Sequence, residues 1–282
     1  MKVFSSIRSL QDEIISFRQK HIVIVPTMGN LHEGHLSLIK KARSLAGKNG
    51  VVIVTVFVNK IQFGPKEDFK KYPRTLKSDL NQCRHLNVDI FFTPKDHSMY
   101  NIKHSTFVTE EILSQRMEGN SRPSHFRGVT TVVAKLFNII QPNTAVFGAK
   151  DFQQAAIITR MVNDLNFPVK IVVAPIIREK DGLAMSSRNR YLNSSERTEA
   201  TILIESIQLA KRIVSSRKTP IASNSLVKKL KKHIATKHLV KLDYIEFFDS
   251  KTLEPVKHVK RGTHMSLAIY LGKTRLIDNS RL

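Results

Sequence analysis

Short apolar runs alternate with amphipathic stretches through the first part of the chain. Val- and Ile-rich runs at 22–27, 51–58, 88–93, 144–147 and 169–174 predict strands, and the stretches 35–47, 73–86, 128–141 and 151–165 predict helices. Nearly unbroken β-branched runs are those of strands covered on both faces. Their alternation with helices predicts a doubly wound α/β parallel sheet. In such sheets ligands bind beyond the C-terminal ends of the strands. The polar segments after 22–27, 51–58 and 144–147 are therefore expected to line one cleft. After about residue 176 the pattern changes. Residues 195–217 and 221–236 predict helices, and 239–249 and 264–271 predict strands. The expected division is a Rossmann-like domain at 1–176 and a smaller α+β domain at 177–282, the boundary lying near Ile176–Arg178.

Composition narrows the class. Cys83 is the one cysteine and there is no tryptophan. A single cysteine excludes an intramolecular disulfide framework and suits a reducing compartment. Met1–Ser6 carries no charged-then-apolar signal, and no apolar run approaches a membrane span. A soluble cytoplasmic protein with no membrane partner is expected. With 46 Lys and Arg against 23 Asp and Glu, the net charge is +23, which raises nucleic acid or a polyanionic substrate as a partner. The densest basic block, Lys228-Lys229-Leu230-Lys231-Lys232, lies in an amphipathic stretch without interleaved aromatics. It reads as a charged helix face, not a base-stacking platform.

Candidate chemistry begins at Met28-Gly29-Asn30-Leu31-His32-Glu33-Gly34-His35, where a strand hands over to a helix. Glycine permits close backbone approach, and a helix N-terminus offers N–H groups to a phosphate. Imidazole adds a hydrogen bond or a charge. Two histidines in a turn can equally be solvated loop residues. No Gly-Lys-Ser/Thr follows, so this is not a Walker A loop, and the Gly-x-Gly-x-x-Gly fingerprint is absent. Asn59 and Gln62 follow the second strand as neutral amides able to bind hydroxyls or carboxylates, or as ordinary loop residues. Gly148-Ala149-Lys150-Asp151, with Gln154 beyond, again joins strand to helix; Lys150 could meet a phosphate while Asp151 caps the helix. The segment 178–189 brings Met185-Ser186-Ser187-Arg188, donors suited to outer phosphates or to a polar surface loop.

Together these segments closely resemble the pantothenate synthetase (pantoate–β-alanine ligase) family. So do Phe57–Phe63, Tyr72–Leu76, Met117–Pro123, His125–Pro142, Asp181–Asn189 and Arg275–Asn279, in order across almost the whole chain. The resemblance implies a nucleotidyltransferase-type Rossmann fold with a smaller C-terminal domain. It implies ATP-dependent joining of (R)-pantoate to β-alanine through a pantoyl adenylate, releasing pyrophosphate and AMP. His35, matching the family's acid, with His32 and Lys150, would act on the phosphates. Met28 to His35 and Gly148 to Asp151 would cradle the nucleotide, with Ile177 on its adenine or ribose side. Met185, Ser186, Ser187 and Arg188 would close on the outer phosphates. Gln62, Gln154 and Asn59 would hold pantoate, Gln62 also meeting β-alanine. Magnesium would bridge phosphate oxygens, with Asp79 as a candidate near it. Small-molecule substrates, no nucleic acid and a homodimer are the implied partners.

Three positions depart from the family's habit. Lys60 stands for proline, Ser124 for glycine and Ala149 for glutamate, which affects loop geometry and no presumed reacting group. Two other readings stay open from the residues alone. One is a nucleotidyltransferase acting on another small acid or a phosphate ester; the other is a nucleic-acid-binding protein suggested by the charge.

Overall fold

The computed structural model describes residues 1–65 and 67–282. The chain separates into two units, Met1–Ala149 with Gln153–Pro175, and Lys150–Phe152 with Ile176–Leu282.

The first unit runs β1 (Lys2–Phe4), α1 (Ile7–Ile15), β2 (Ile22–Thr27), α2 (Glu33–Ala46), β3 (Val51–Val56), α3 (Leu76–His85) and β4 (Ile90–Phe92). The short helices α4 (Asp96–Met99) and α5 (Glu118–Ser121) follow, then α6 (His125–Ile140), β5 (Thr144–Gly148), α7 (Phe152–Asp164) and β6 (Lys170–Ala174). Six strands form one sheet in the order β1-β4-β3-β2-β5-β6, and every pairing is parallel. Alternate residues of β2 serve opposite cores. Ile22 and Ile24 join Leu10, Ile53, Phe92 and Phe137 on one face. Val23 and Val25 join Leu38, Ile39, Val54 and Phe91 on the other. Double-sided burial is why these strands read as unbroken apolar runs. The strand order reverses between β2 and β5, which makes their C-terminal ends a topological switch point.

The second unit contains α8 (Ser194–Glu199), α9 (Ile202–Ser215), β7 (Ile221–Ala222), α10 (Ser223–Ile234), β8 (Val240–Phe248), β9 (His258–Val259), β10 (His264–Leu271) and β11 (Thr274–Arg281). An antiparallel sheet in the order β11-β10-β8 packs its Ile245, Leu267 and Ile269 against Leu203, Ile207, Leu226 and Leu230 of α9 and α10. The fold is therefore the expected α/β sheet followed by a smaller α+β unit.

Local differences have local causes. The helix expected from 128 begins at His125, because Gly128 serves close packing and does not break it. The helix expected at 195–217 is two, interrupted at Ala200–Thr201. The edge strand β1, helix α1 and strand β11 were not expected. No helix among the described residues is long and apolar enough to cross a membrane.

Candidate active site

The turn after β2 is shaped by two left-handed residues, Gly29 (φ +81°) and Asn30 (φ +52°). A Cβ on Gly29 would meet Val56 Cγ1 at 2.8 Å and Asp79 Oδ2 at 3.1 Å, so only glycine fits. Asp79 is 1% exposed and closes the turn from below. Its carboxylate accepts the N–H of Asn30 at 3.0 Å and of Leu31 at 2.9 Å, and the Thr75 hydroxyl at 3.1 Å. Cys83 lies fully buried on the same helix, and burial first, then the Asp79 charge, pushes its thiol up to about 12. It is a packing residue, not a nucleophile.

His32 is the N-cap of α2, and its Nδ1 accepts the N–H of Gly34 at 3.2 Å. His35 Nδ1 accepts the N–H of His32 at 3.4 Å, and the two rings lie 4.1 Å apart. An Nδ1 that accepts a backbone N–H carries no proton, which assigns both rings as neutral tautomers with the proton on Nε2. With Nδ1 accepting, each ring keeps an Nε2–H to offer as a donor.

Beyond β3, Asn59 and Gln62 are buried, at 1% and 7% exposure. Asn59 Nδ2 donates to Gln62 Oε1 at 3.0 Å and to the Gly128 carbonyl at 2.9 Å. Gln62 Nε2 lies 3.4 Å from Met28 Sδ. Asn59 Oδ1 is buried and has no partner among the described residues. Lys60 is exposed in the short turn that carries Gln62.

Three residues support Gln62 that the sequence did not single out. His125 Nδ1 is 2.9 Å from the Gln62 carbonyl, and Arg122 Nη1 is 3.0 Å from His125 Nε2. The only consistent pattern is Nδ1–H donating and Nε2 accepting from arginine. Arg122 is gripped in turn by Glu67, through Nε at 2.9 Å and Nη2 at 2.6 Å. Burial, the largest single influence, pushes the Glu67 carboxyl up, but the Arg122 hydrogen bond and charge outweigh it and hold it low. Gly128 is required beside them: a Cβ there would lie 2.5 Å from Gln62 Cα. The signal available in sequence was a polar Arg–x–x–His opening an otherwise apolar helix.

On α7 the adjacent glutamines differ. Gln153 is 5% exposed and spends its amide on the Glu118 N–H at 3.0 Å and the Leu113 and Arg116 carbonyls, each at 2.7 Å. Gln154 is half-buried, and its amide has no hydrogen-bond partner among the described residues.

In the second unit, Lys150 Nζ lies 3.5 Å from Asp151 Oδ1. Residues 177–185 form a narrow hairpin: Met185 N–H donates to the Ile177 carbonyl at 3.0 Å and Glu179 N–H to that of Leu183 at 2.8 Å, with Gly182 at φ +90°. Arg197 bridges Asp181 at 2.6 Å and Glu179 at 2.7 Å. Ser186 then caps a short 3-10 helix, its Oγ accepting the Arg188 N–H at 3.2 Å. Polarity alone suggests a mobile loop; the hydrogen bonds make its base a defined hairpin. Among the described residues no group of three or more His, Cys, Asp or Glu side chains is placed to hold a metal ion.

A glycine turn, a histidine-capped helix and a buried amide pair gather at the strand ends of a parallel sheet, where enzymes of the α/β class place their ligand sites. The chain belongs to the pantoate-beta-alanine ligase family, whose model matches residues 2–281. It is 48% identical to the pantothenate synthetase of Thermosipho melanesiensis over 99% of this chain and 98% of that one. It is 44% identical to that of Thermotoga petrophila, covering 100% of both. Among solved structures, the Thermus thermophilus pantothenate synthetase superposes with a TM-score of 0.91 at 38% identity, covering 100% of this chain and 99% of that one. The Francisella tularensis pantoate-beta-alanine ligase, solved with beta-gamma ATP and beta-alanine, gives 0.81 at 34% identity, covering 100% and 97%. The chain is thus a carbon–nitrogen ligase of that family.

Proposed function

We propose that this enzyme joins (R)-pantoate to β-alanine in two steps through a pantoyl adenylate. A pantoate carboxylate oxygen attacks the α-phosphorus of ATP and pyrophosphate leaves. The β-alanine nitrogen then attacks the acyl carbon, loses a proton, and AMP leaves with the carboxylate oxygen. Adenylation replaces a poor leaving group with a good one, splitting one hard step into two easier ones.

The observation that carries this reading is the buried pair Asn59 and Gln62. With Asn59 Nδ2 spent on Gln62 and Gly128, Oδ1 is an acceptor left without a partner among the described residues. A buried acceptor without a donor costs about 1–3 kcal/mol, which a ligand hydroxyl restores. Pantoate carries two hydroxyls and a carboxylate. Gln62 and Gln154 bind it, Asn59 completes the set, and Gln62 also meets β-alanine.

His32 and His35 donate Nε2–H to phosphate oxygens as negative charge gathers in the transition state, His35 being the residue that matches the family's acid. Met28 to His35 and Gly148 to Asp151 contact the nucleotide, Lys150 meets a phosphate, Ile177 meets the adenine or ribose side, and Met185 to Arg188 take the outer phosphates. The complex of the Francisella relative with beta-gamma ATP and beta-alanine supports ATP as substrate.

Magnesium travels with the triphosphate, which suits an ion usually held by substrate phosphates and waters rather than by a protein cage. Bound there, it neutralises phosphate charge. Both Asp79 oxygens already accept protein donors. Asp79 therefore serves that site by fixing the 29–31 turn. A cytoplasmic homodimer completes the proposal, checked by light scattering and by cell fractionation.

The test supplies the enzyme with ATP, magnesium and pantoate, omitting β-alanine. Labelled pyrophosphate should exchange into ATP, and AMP should appear in stoichiometric amount only when β-alanine is added. Exchange that depends on β-alanine would rule out the free-standing adenylate.

A further inference from the structure

Asp278 and Asn279 stand side by side on β11, within the family-like stretch Arg275–Asn279 to which the proposed chemistry gives no task. Both are buried, at 0% and 4% exposure. Neighbouring strand residues face opposite ways, so the two reach different partners. Asp278 takes the Arg178 guanidinium in a two-pronged ion pair at 2.6 and 3.0 Å. Arg178 Nη1 also donates to the Gly182 carbonyl at 2.9 Å, closing the hairpin that leads into Met185–Arg188. Asn279 Nδ2 donates to the backbone carbonyl of Lys150 at 2.9 Å. Its Oδ1 lies 3.3 Å from His264 Nε2, and the His264 ring stacks on Phe152 with centroids 4.0 Å apart. The segment Lys150–Phe152 is thus held at two points, a carbonyl at one end and a ring at the other.

We propose that Asp278 and Asn279 are positioning residues for adenylation, Asn279 fixing the backbone from which Lys150 reaches a phosphate and Asp278 fixing the hairpin that presents Met185–Arg188. Lysine carries a compact charge on a four-carbon stem, so its aim depends on where its Cα is held. Arginine and carboxylate in a two-pronged pair fix orientation as well as distance. The buried ion pair adds little net stability, because desolvation offsets its attraction. Its value here is geometric. The inference rests on the proposed role of Lys150.

Asn279→Asp tests it, since aspartate keeps an acceptor for His264 and withdraws the donor from Lys150. Pantoate-dependent pyrophosphate exchange should slow about ten- to a hundredfold, the scale of a misplaced reacting group. The KM for ATP and the affinity for pantoate should change far less than kcat. In a Lys150→Ala background the same substitution should add no more than about twofold, because a residue acting through Lys150 has nothing left to position. Should Asn279→Asp fail to fold, Asn279→Ser, too short to reach the Lys150 carbonyl, replaces it with the same expectations. Wild-type exchange by a folded variant, or losses that multiply with Lys150→Ala, overturns the inference alone. Absence of exchange by the unmodified enzyme, or full activity in Lys150→Ala, overturns the functional reading and this inference with it.

Discussion

The carboxylate of Asp79 accepts the backbone N–H of Asn30 at 3.0 Å across 49 residues of sequence. With the parallel bond to Leu31 it fixes the turn that delivers His32 and His35 to the start of α2. Asp79→Ala leaves two buried N–H donors unsatisfied, a loss of about 1–3 kcal/mol for each. Denaturant unfolding should show the destabilisation, and the surviving folded enzyme should adenylate pantoate more slowly. A variant of unchanged stability would mean that the turn holds itself.

His35 carries two duties that one substitution can separate. Its Nδ1 accepts the His32 N–H, the place that glutamine or glutamate fills in an ordinary capping box. His35→Gln should therefore keep the cap and lose the imidazole, whose Nε2–H a capping amide cannot place at the same point. The adenylation rate should fall on the order of a hundredfold. His35→Ala should lose the same rate and, in addition, about 1 kcal/mol of stability. Full turnover by His35→Gln at saturating ATP would show that the ring is only a cap.

The amides should separate pantoate from ATP. Gln62→Ala and Gln154→Ala should each weaken pantoate binding by about 1–3 kcal/mol, the cost of an unpaired buried hydroxyl, and leave ATP affinity nearly unchanged. Gly128→Ala should mimic Gln62→Ala without touching a polar group, because its Cβ would lie 2.5 Å from Gln62 Cα. Equilibrium titration with each ligand checks all three. Loss of ATP binding with pantoate binding intact would reverse the assignment.

These residues also show what the sequence made legible. The strands were legible because burial on both faces writes an apolar residue at nearly every position, as in Ile22–Val25. Strand β11 was not, because Asp278 and Asn279 interrupt the apolar pattern in the middle of a buried strand. His32, His35, Asn59 and Gln62 stood out because they follow strand ends. What each does with its nitrogens depended on partners near in sequence but fixed only by the fold, such as the capping bonds of His32 and His35. The supports of the site were hidden for a different reason. Asp79 reaches 49 residues back, Glu67 grips Arg122 55 residues away, and Asn279 reaches Lys150 across 129. No local pattern encodes such pairs. Gln153 and Gln154 look alike in sequence and differ only because one faces the turn at Met117–Glu118.

The Glu67–Arg122 pair supplies a pH prediction whose sign is fixed. Burial alone would raise the Glu67 carboxyl, but the Arg122 hydrogen bond and charge outweigh it, so the folded protein holds it below its unfolded value. A carboxyl lowered on folding contributes stability that is complete above the unfolded value and is lost as pH falls through the folded one. Glu67→Gln removes this contribution and keeps one acceptor for Arg122. At neutral pH the variant should be less stable than the parent, by on the order of 1 kcal/mol for a pair that is partly solvated. As pH falls below about 4.5, the ordinary carboxyl range, the two stability curves should converge. The same substitution loosens Arg122, then His125, then the Gln62 carbonyl, so pantoate affinity at neutral pH should weaken while ATP affinity holds. Chemical denaturation from neutral to acid pH, paired with pantoate titration, checks both halves. A stability gap that stays constant down to the acid end, or a Glu67→Gln enzyme with unchanged pantoate affinity, would show that the carboxylate neither titrates with folding nor reaches the substrate amide through Arg122 and His125.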